Sequence, residues 1–413
     1  MNAGASIGLA DFSARVRADF PFLQRKIHGK GNIYLDNAAT TQKPAMVIES
    51  VVDFYTHHCA NVHRGIHTLS QEATSLLEAA RQRTADFIHA QPNEIIFTAG
   101  TTAAINMVAH AFNQKHLDGQ AIIVSVMEHH SNLLPWMDLC KRKNMRLLVA
   151  EVNEAGELSL DQIEEFLKNN QVALVCISHV SNTLGTVNPV KELVHLAHRY
   201  GSEILIDGAQ AVMHQSPDMK DLKADYYCFS GHKMFGPSGI GVLYVNAALA
   251  EHFPVYQHGG GTIKEVSLDA VTYAEGPARL EAGTPNIEGI IGLGAAISYI
   301  EKTGKENIQR RENELLLYCL EIIRSFPELK ILGSPSHRSG LISVYSDRFH
   351  PSDLGTLLDQ QGIAIRTGHH CTQPLMKRFG IAGTARFSFA AYNTEEELDV
   401  LNKALHKALS MLL

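Results

Sequence analysis

An alternation constrains this chain more than any other feature. Eight short apolar, β-rich runs follow one another from about Ile33: NIYLD, EIIFTAG, AIIVSV, RLLVAEV, ALVCISHV, EILIDGAQ, YYCFS and GIGVLYV. Amphipathic helical stretches such as TTAAINMVAHAFNQKH, LDQIEEFLKNN and VKELVHLAHRYG lie between most of the earlier ones. A strand that is apolar on both faces must be covered on both faces, and an intervening helix returns the chain to begin the next strand in parallel. The expectation is an α/β fold with a large, mostly parallel sheet. Ligands of such sheets bind beyond the carboxyl ends of the strands, so the residues just after each run are where chemistry is expected.

The pattern changes at EAGTPNIEGIIGLGAAISYIEKTGKENIQRRENELLLYCLEIIRSF, a long helical passage interrupted near Gly304. Beyond it SGLISVYS, IAIRTG and ARFSFAAY are expected to form a small sheet. A closing helix starts at NTEEEL, where Thr394 and Glu397 fit a capping box and Leu398, Leu401, Leu405 and Leu409 share one face. The expected division is 30–290 for the large domain, with 1–29 and 291–413 forming a smaller α+β domain. The 413 residues are 45% hydrophobic and 19% charged, enough to bury a sizeable interior. A net charge of −7 and the lack of a dense Lys/Arg tract argue against nucleic acid as a partner. The six cysteines form no C-x-x-C pair, which suits a reduced, cytoplasmic protein. The N-terminal stretch carries Asp11 and Asp19 and has no apolar segment, so no secretory signal is expected, and no run is long enough to span a membrane.

Several strand ends carry reactive side chains. Asp207 follows EILI, where a carboxylate can hold the proton of a nitrogen heterocycle, as pyridoxal phosphate (PLP) requires; the alternative is a turn aspartate. Lys233 follows Ser230, Gly231 and His232 on a constrained turn between apolar strands, a setting that lowers an amine's pKa and favours a Schiff base; the alternative is a packed stem with its head in water. Gly100, Thr101 and Thr102 lie between a strand and a helix, a natural anion site. Ser230 and His232 add donors. Glu128, His129 and His130 end another strand, where an imidazole can stack on a ring and shuttle protons. Asn182 reaches the same rim. Each signal is ambiguous alone, but the set reads as a PLP site.

The segments YLDNAATTQKP, NVHRGIHTLS, EHHSNLLPW, HVSNTLGTVNP, DGAQAVMH, FSGHKMFGPSGIGVLYV, EAGTPN and RTGHHCTQPLM closely resemble the group II, SUF-type cysteine desulfurases and selenocysteine lyases. These are fold type I PLP enzymes of the class-V aminotransferase kind, with a seven-stranded large sheet. The resemblance runs from about Phe20 to the last helix. It implies that Lys233 is the Schiff-base lysine, that Asp207 pairs the ring nitrogen, and that Gln210 bonds the ring hydroxyl. It further implies that His129 stacks on the ring and that Thr102, Ser230 and His232 hold the phosphate. Thr284 would reach the phosphate of a neighbouring subunit in a homodimer. Asn182 and Arg386 would anchor the substrate carboxylate, with Arg366 and His63 nearby, and Cys371 would accept the sulfur.

The implied activity converts L-cysteine to L-alanine, leaves a persulfide on Cys371, and serves iron–sulfur cluster assembly through a SUF-type acceptor protein. L-Selenocysteine is an expected second substrate, and no metal is expected. One segment departs from the family pattern: the cradle reads AGTTA, with Ala99 and Ala103 where the family usually has Arg and Glu. Two alternatives are open on the residues alone. One is another PLP reaction, a transamination, hydrolysis or lyase step that uses Lys233 without Cys371. The other is a metal carrier built on His369, His370 and Cys371, which an extended backbone disfavours because adjacent side chains point apart.

Overall fold

The computed structural model describes residues 9–215 and 217–413. Its main sheet has seven strands: β1 (Ile95–Thr98), β2 (Ala121–Ser125), β3 (Arg146–Ala150), β4 (Val172–Ser178), β5 (Glu203–Asp207), β6 (Tyr226–Ser230) and β7 (Gly241–Val245), in the order β1-β7-β6-β5-β4-β2-β3. Only β7 runs antiparallel to its neighbours; the pairs β6–β5, β5–β4, β4–β2 and β2–β3 are parallel. The cause is chain length, because a parallel return needs a crossover of a dozen residues or more and the lysine turn between β6 and β7 is shorter.

Side chains alternate between two cores, as the period of a strand demands. Ile123, Val175, Ile177, Ile204 and Ile206 face one, beneath the helices Thr68–Phe87, Val190–Arg199 and Ile287–Thr303. Ile122, Val124, Leu174, Cys176 and Leu205 face the other, beneath Thr101–Asn113 and Leu134–Arg142 with its buried Trp136. All ten strand residues are completely buried. The chain passes from β2 outward to β3 and then returns to lay β4 on the other side of β2. That reversal opens a crevice at the carboxyl ends of β2 and β4.

The smaller sheet contains β8 (Lys330–Ile331), β9 (Leu341–Tyr345), β10 (Arg366–Gly368) and β11 (Thr384–Ser388), ordered β8-β9-β11-β10 and antiparallel throughout. The helix Glu395–Leu412 closes over it with the expected capping box, and Leu398, Leu401, Leu405 and Leu409 are buried. The long helical passage breaks at Gly304, whose φ of 87° suits glycine.

One sequence expectation is corrected. NIYLD does not enter the large sheet: Ile33–Tyr34 pairs in parallel with Ile363–Ala364, and Ile33 and Leu35 join the small core. Two buried clusters extend across the expected bounds at 29 and 290. Phe12, Val16, Phe20 and Leu23 pack in the large core, as do Leu293, Ile297, Ile300 and Ile308. The small core begins along the helix Lys305–Arg324, at Leu315. Amphipathic helices follow the nearest apolar surface, and that of the large sheet extends past residue 290. Residues 1–8 of the expected small domain lie outside the described residues. No helix among the described residues is long and apolar enough to cross a membrane.

Candidate active site

Eleven of the thirteen expected residues line one cavity of about 320 Å³: Thr102, His129, Asn182, Asp207, Gln210, Ser230, His232, Lys233, Arg366, Cys371 and Arg386. It opens at the crevice between β2 and β4 and is closed from the other side by β10, β11 and the turn after Gly368. A larger cleft of about 880 Å³, bordered by residues 333–339, contains none of them.

Lys233 lies on the short turn Gly231–Lys233, directly after β6. Burial brings its pKa down to about 8; Asp207 pulls it up and Arg386 pushes it further down. A sizeable fraction of the amine is therefore neutral near physiological pH, as Schiff-base formation requires. Asp207 ends β5 with its carboxyl buried; burial raises its pKa, while the Ala209 N–H donated to Oδ1 at 2.9 Å and the Lys233 charge oppose the rise. Gln210 donates Nε2 to the Ala38 carbonyl at 2.6 Å.

The anion cradle has the expected parts. Ser230 Oγ accepts the Thr101 N–H at 2.8 Å and bonds Thr101 Oγ1 at 2.8 Å, and Thr102 Oγ1 meets Ser131 Oγ at 2.7 Å. Gly100 has φ 142°, and a Cβ there would stand 3.3 Å from Ser230 Oγ. A Cβ on Gly241 would lie 2.5 Å from the Gly100 Cα, so two backbones cross here with no room for side chains. His232 is held near a pKa of 4 by burial and the Lys233 charge, hence neutral.

His129 caps the turn after β2: its Nδ1 accepts the Ser131 N–H at 3.0 Å, which leaves the proton on Nε2. Burial, then Lys233, lower its pKa to about 4. A neutral imidazole suits ring stacking. At neutral pH it is a weaker proton acceptor than its expected shuttle role asks.

The cysteine segment is a turn, not an extended strand. His370 and Cys371 have φ of 49° and 57°, in the left-handed region that costs ordinary residues energy. The turn is held from outside: Asn182 Nδ2 donates to the His370 carbonyl at 2.7 Å, and the His130 N–H donates to the Cys371 carbonyl at 2.8 Å. Asn182 thus gives one N–H of its side-chain amide to this turn, and its backbone carbonyl accepts from Arg386 Nη1 at 2.7 Å. His370 is buried against Thr384 Oγ1 at 2.7 Å, while His369 lies beside the His130 ring. Cys371 is half-buried, whereas Cys140, Cys176, Cys228 and Cys319 are fully buried.

His63 and Thr284 are not brought into this cavity. His63 pairs with Glu78 at 3.0 Å and lines a hollow beside Arg81 and Glu281. Thr284 borders an adjacent one of about 260 Å³ together with Ala99 and Ala103, the two departures from the family pattern. Both hollows flank the segment 281–285.

The sequence reading missed two residues. Asp36 bonds Arg366 through Nε (3.1 Å to each carboxylate oxygen) and Nη2 (2.9 Å), and also reaches Arg386 Nη2 at 3.3 Å. Its signal was the one that singled out Asp207, an acid ending an apolar run. Glu128 was read only as a neighbour of His129. It is wholly buried, bonds Ser125 Oγ at 2.5 Å and Asn132 Nδ2 at 2.7 Å, and thereby fixes the turn that presents His129; burial raises its pKa to about 7.

The donor set fits pyridoxal phosphate: an anion cradle at a helix start, a half-buried amine, a buried carboxylate and a neutral imidazole meet in one cavity. Residues 33–401 match the model of the family described as aminotransferase class-V. A cysteine desulfurase of Dickeya dadantii is 48% identical over 396 residues, 95% of this chain and 96% of that protein. The cysteine desulfurase of Thermococcus onnurineus NA1 superposes with a TM-score of 0.92 at 39% identity, covering 97% of this chain and 98% of that one. The Escherichia coli cysteine desulfurase CsdA gives 0.90 at 35% identity over 97% of this chain and 99% of the other. A matching cavity, a family model spanning most of the chain and relatives of nearly equal length converge: the chain belongs to the class-V aminotransferase family and, within it, to the PLP-dependent cysteine desulfurases.

Proposed function

We propose that this protein takes sulfur from L-cysteine, releases L-alanine and carries the sulfur as a persulfide on Cys371. One observation supports this above the rest: a half-buried lysine, a buried carboxylate and a half-buried thiol face the same cavity. Pyridoxal phosphate, when bound there, supplies a carbonyl for the substrate amine and a ring that accepts electrons from Cα. Thr102, Ser230 and His232 would hold its phosphate, His129 and Gln210 its ring, and Lys233 its carbonyl carbon.

Asp207 would keep a proton on the ring nitrogen. Arg386 and Arg366 hold the substrate carboxylate and so orient the Cα–H bond. The neutral Lys233 amine would accept the Cα proton. Cys371 Sγ, as thiolate, forms the S–S bond while the substrate Cβ–S bond breaks; a proton delivered to Cβ completes alanine. In sum, L-cysteine and one enzyme thiol become L-alanine and one enzyme persulfide. Selenocysteine fits the same site, and its more acidic selenol eases the cleavage.

A homodimer would bring Thr284 and His63 to the neighbouring cavity. Ile66 and Leu69, a few positions after His63 in the chain, are exposed, and sedimentation should give twice the chain mass. A reducing cytoplasm suits the buried free thiols, and a SUF-type acceptor protein would remove the sulfur for iron–sulfur cluster assembly. The deciding assay incubates the protein with L-cysteine, measures alanine and locates the added sulfur by mass spectrometry. Sulfur on Cys371 is expected. Wild-type sulfide release by Cys371→Ala would restore the alternative in which only Lys233 acts.

A further inference from the structure

Four donors converge on the backbone carbonyl of His232, the residue before the Schiff-base lysine. Thr41 N–H stands at 3.0 Å, Thr40 Oγ1 at 3.0 Å, Thr41 Oγ1 at 3.2 Å and Lys43 Nζ at 3.2 Å. All four belong to the segment YLDNAATTQKP. A carbonyl offers two lone pairs, so the two threonines already satisfy it. What Lys43 adds is charge.

Lys43 is half-buried, and its other acceptors are the Thr41 carbonyl and Thr40 Oγ1. No carboxylate stands among them. Burial brings its pKa down to about 8, so the amine is still mostly protonated at neutral pH. An ammonium drawn out of water beside neutral oxygens alone is costly, and such charges are normally paired. The anion for which this region is built is the cofactor phosphate, and its cradle is short of positive charge. Thr102 and Ser230 are uncharged, and burial, Lys233 and Lys43 together hold His232 neutral. The cradle segment carries Ala99 and Ala103 and brings no cation of its own. The start of the helix Thr101–Asn113 offers only a partial charge. Arg366 and Arg386 are tied to Asp36, and Lys233 serves the carbonyl carbon. Lys43 stands behind His232, close enough for its charge to act on that imidazole.

We propose that Lys43 is a positioning residue for the cofactor: its ammonium, fixed against the His232 carbonyl, supplies from behind the cradle the positive charge that balances the phosphate. This assignment rests on the reading of Thr102, Ser230 and His232 as the phosphate cradle. The competing role is mechanical, a tie between the segment 40–43 and the lysine turn.

Charge and tie separate in the cofactor-free protein, titrated calorimetrically with pyridoxamine 5′-phosphate and with pyridoxamine. These ligands differ by the phosphate alone and form no Schiff base with Lys233, so the ratio of their affinities isolates the phosphate. Lys43→Gln keeps a hydrogen-bond donor and removes the charge. It should lower the ratio about tenfold or more while leaving pyridoxamine affinity within about threefold of wild type. Lys43→Met should do the same, whereas Lys43→Arg, which keeps the charge, should hold the ratio within about threefold. Thermal unfolding of each variant reads the tie. A ratio unchanged in Lys43→Gln and Lys43→Met, with both ligands weakened alike or only a lower melting temperature, makes Lys43 a tie and overturns the proposal. Equal losses in Lys43→Arg and Lys43→Gln would also overturn it, because the charge would then be irrelevant. A wild-type protein that binds the two ligands equally would sink the cradle reading, and the proposal with it. That failure shows in the wild type itself, which distinguishes it from the other two.

Discussion

The lysine turn and the cysteine turn face each other across one cavity, and they are built by different means. The lysine turn links two interior strands and is knitted by backbone bonds: Gly231 N–H to the Ile240 carbonyl at 2.9 Å, Met234 N–H to the Gly231 carbonyl at 2.9 Å, and Thr41 N–H to the His232 carbonyl at 3.0 Å. Met234 and Phe235 beneath it are completely buried. The cysteine turn leaves the edge strand β10, adopts a left-handed conformation at His370 and Cys371, and is held by a few polar bonds, three of them from the large domain: Asn182, His130 and Thr183. A covalent anchor for a cofactor must not move. A thiol that collects sulfur and then surrenders it to another molecule must be able to. The architecture divides these tasks between a packed interior and a pinned edge.

The most drastic way to separate the two turns is to remove each reactive atom. Lys233→Ala should lower alanine formation about a thousandfold or more and abolish the yellow colour that borohydride discharges in the wild type. Cys371→Ala should lose persulfide formation to a similar degree yet keep the colour. It should also still exchange the Cα hydrogen of L-alanine for deuterium, followed by NMR, within about threefold of the wild-type rate. Loss of that exchange in Cys371→Ala would mean that the two turns act as one unit.

The lysine side was far more legible in the sequence than the cysteine side, for a physical reason. Asp207, Ser230 and Lys233 end strands of a doubly covered sheet, and both the strands and the rule that ligands sit at their ends follow from apolar runs and period. The environment of Cys371 is set by long-range side-chain bonds. Nothing local in RTGHHC reveals that His370 is buried against Thr384 or that Asn182, far away in the chain, caps its carbonyl. The same limit concealed Asp36, whose partners lie more than 300 positions away, and the fate of NIYLD, whose two paired residues were too few to specify a sheet. His63 and Thr284 carried a signal only through resemblance, because one chain by itself does not bring them to the cavity.

Burial of the lysine can be read out through pH. In the cofactor-free protein Lys233 titrates near 8 when folded, against an ordinary value of about 10.4 when unfolded. Between those values the unfolded chain holds a proton that the folded one has released, so stability rises with pH across that window. Below pH 8 the full penalty applies. Lys233→Met removes the penalty. Its stability advantage over wild type should be greatest below pH 8, by about 3 kcal/mol as an order of magnitude, and should fade as pH approaches 10.4. Matched denaturant titrations along the pH series measure it. A gap that stays constant with pH would show the amine to be hydrated and the lysine side no more buried than the cysteine side.

The cysteine turn should answer to a gentler change. Asn182→Ala removes the donor to the His370 carbonyl and leaves that carbonyl without its side-chain partner, while the strands beneath it stay intact. A buried hydrogen bond of this kind contributes about 1–1.5 kcal/mol net, so the turn should open about tenfold more often. Hydrogen exchange reads this directly: the amides of Cys371 and Thr372 should exchange about ten times faster, whereas Gly231 and Met234 on the lysine turn should be unchanged. Activity with L-cysteine should fall by a comparable factor, because the thiol spends less time facing the cavity, and cofactor affinity should not move. Left-handed backbone occurs on both turns, at Phe235 as at His370 and Cys371, so the asymmetry rests on what encloses it: Phe235 is completely buried, whereas Cys371 is not. Equal acceleration on both turns would indicate a general loosening of the large domain and would erase the distinction between a packed anchor and a pinned edge.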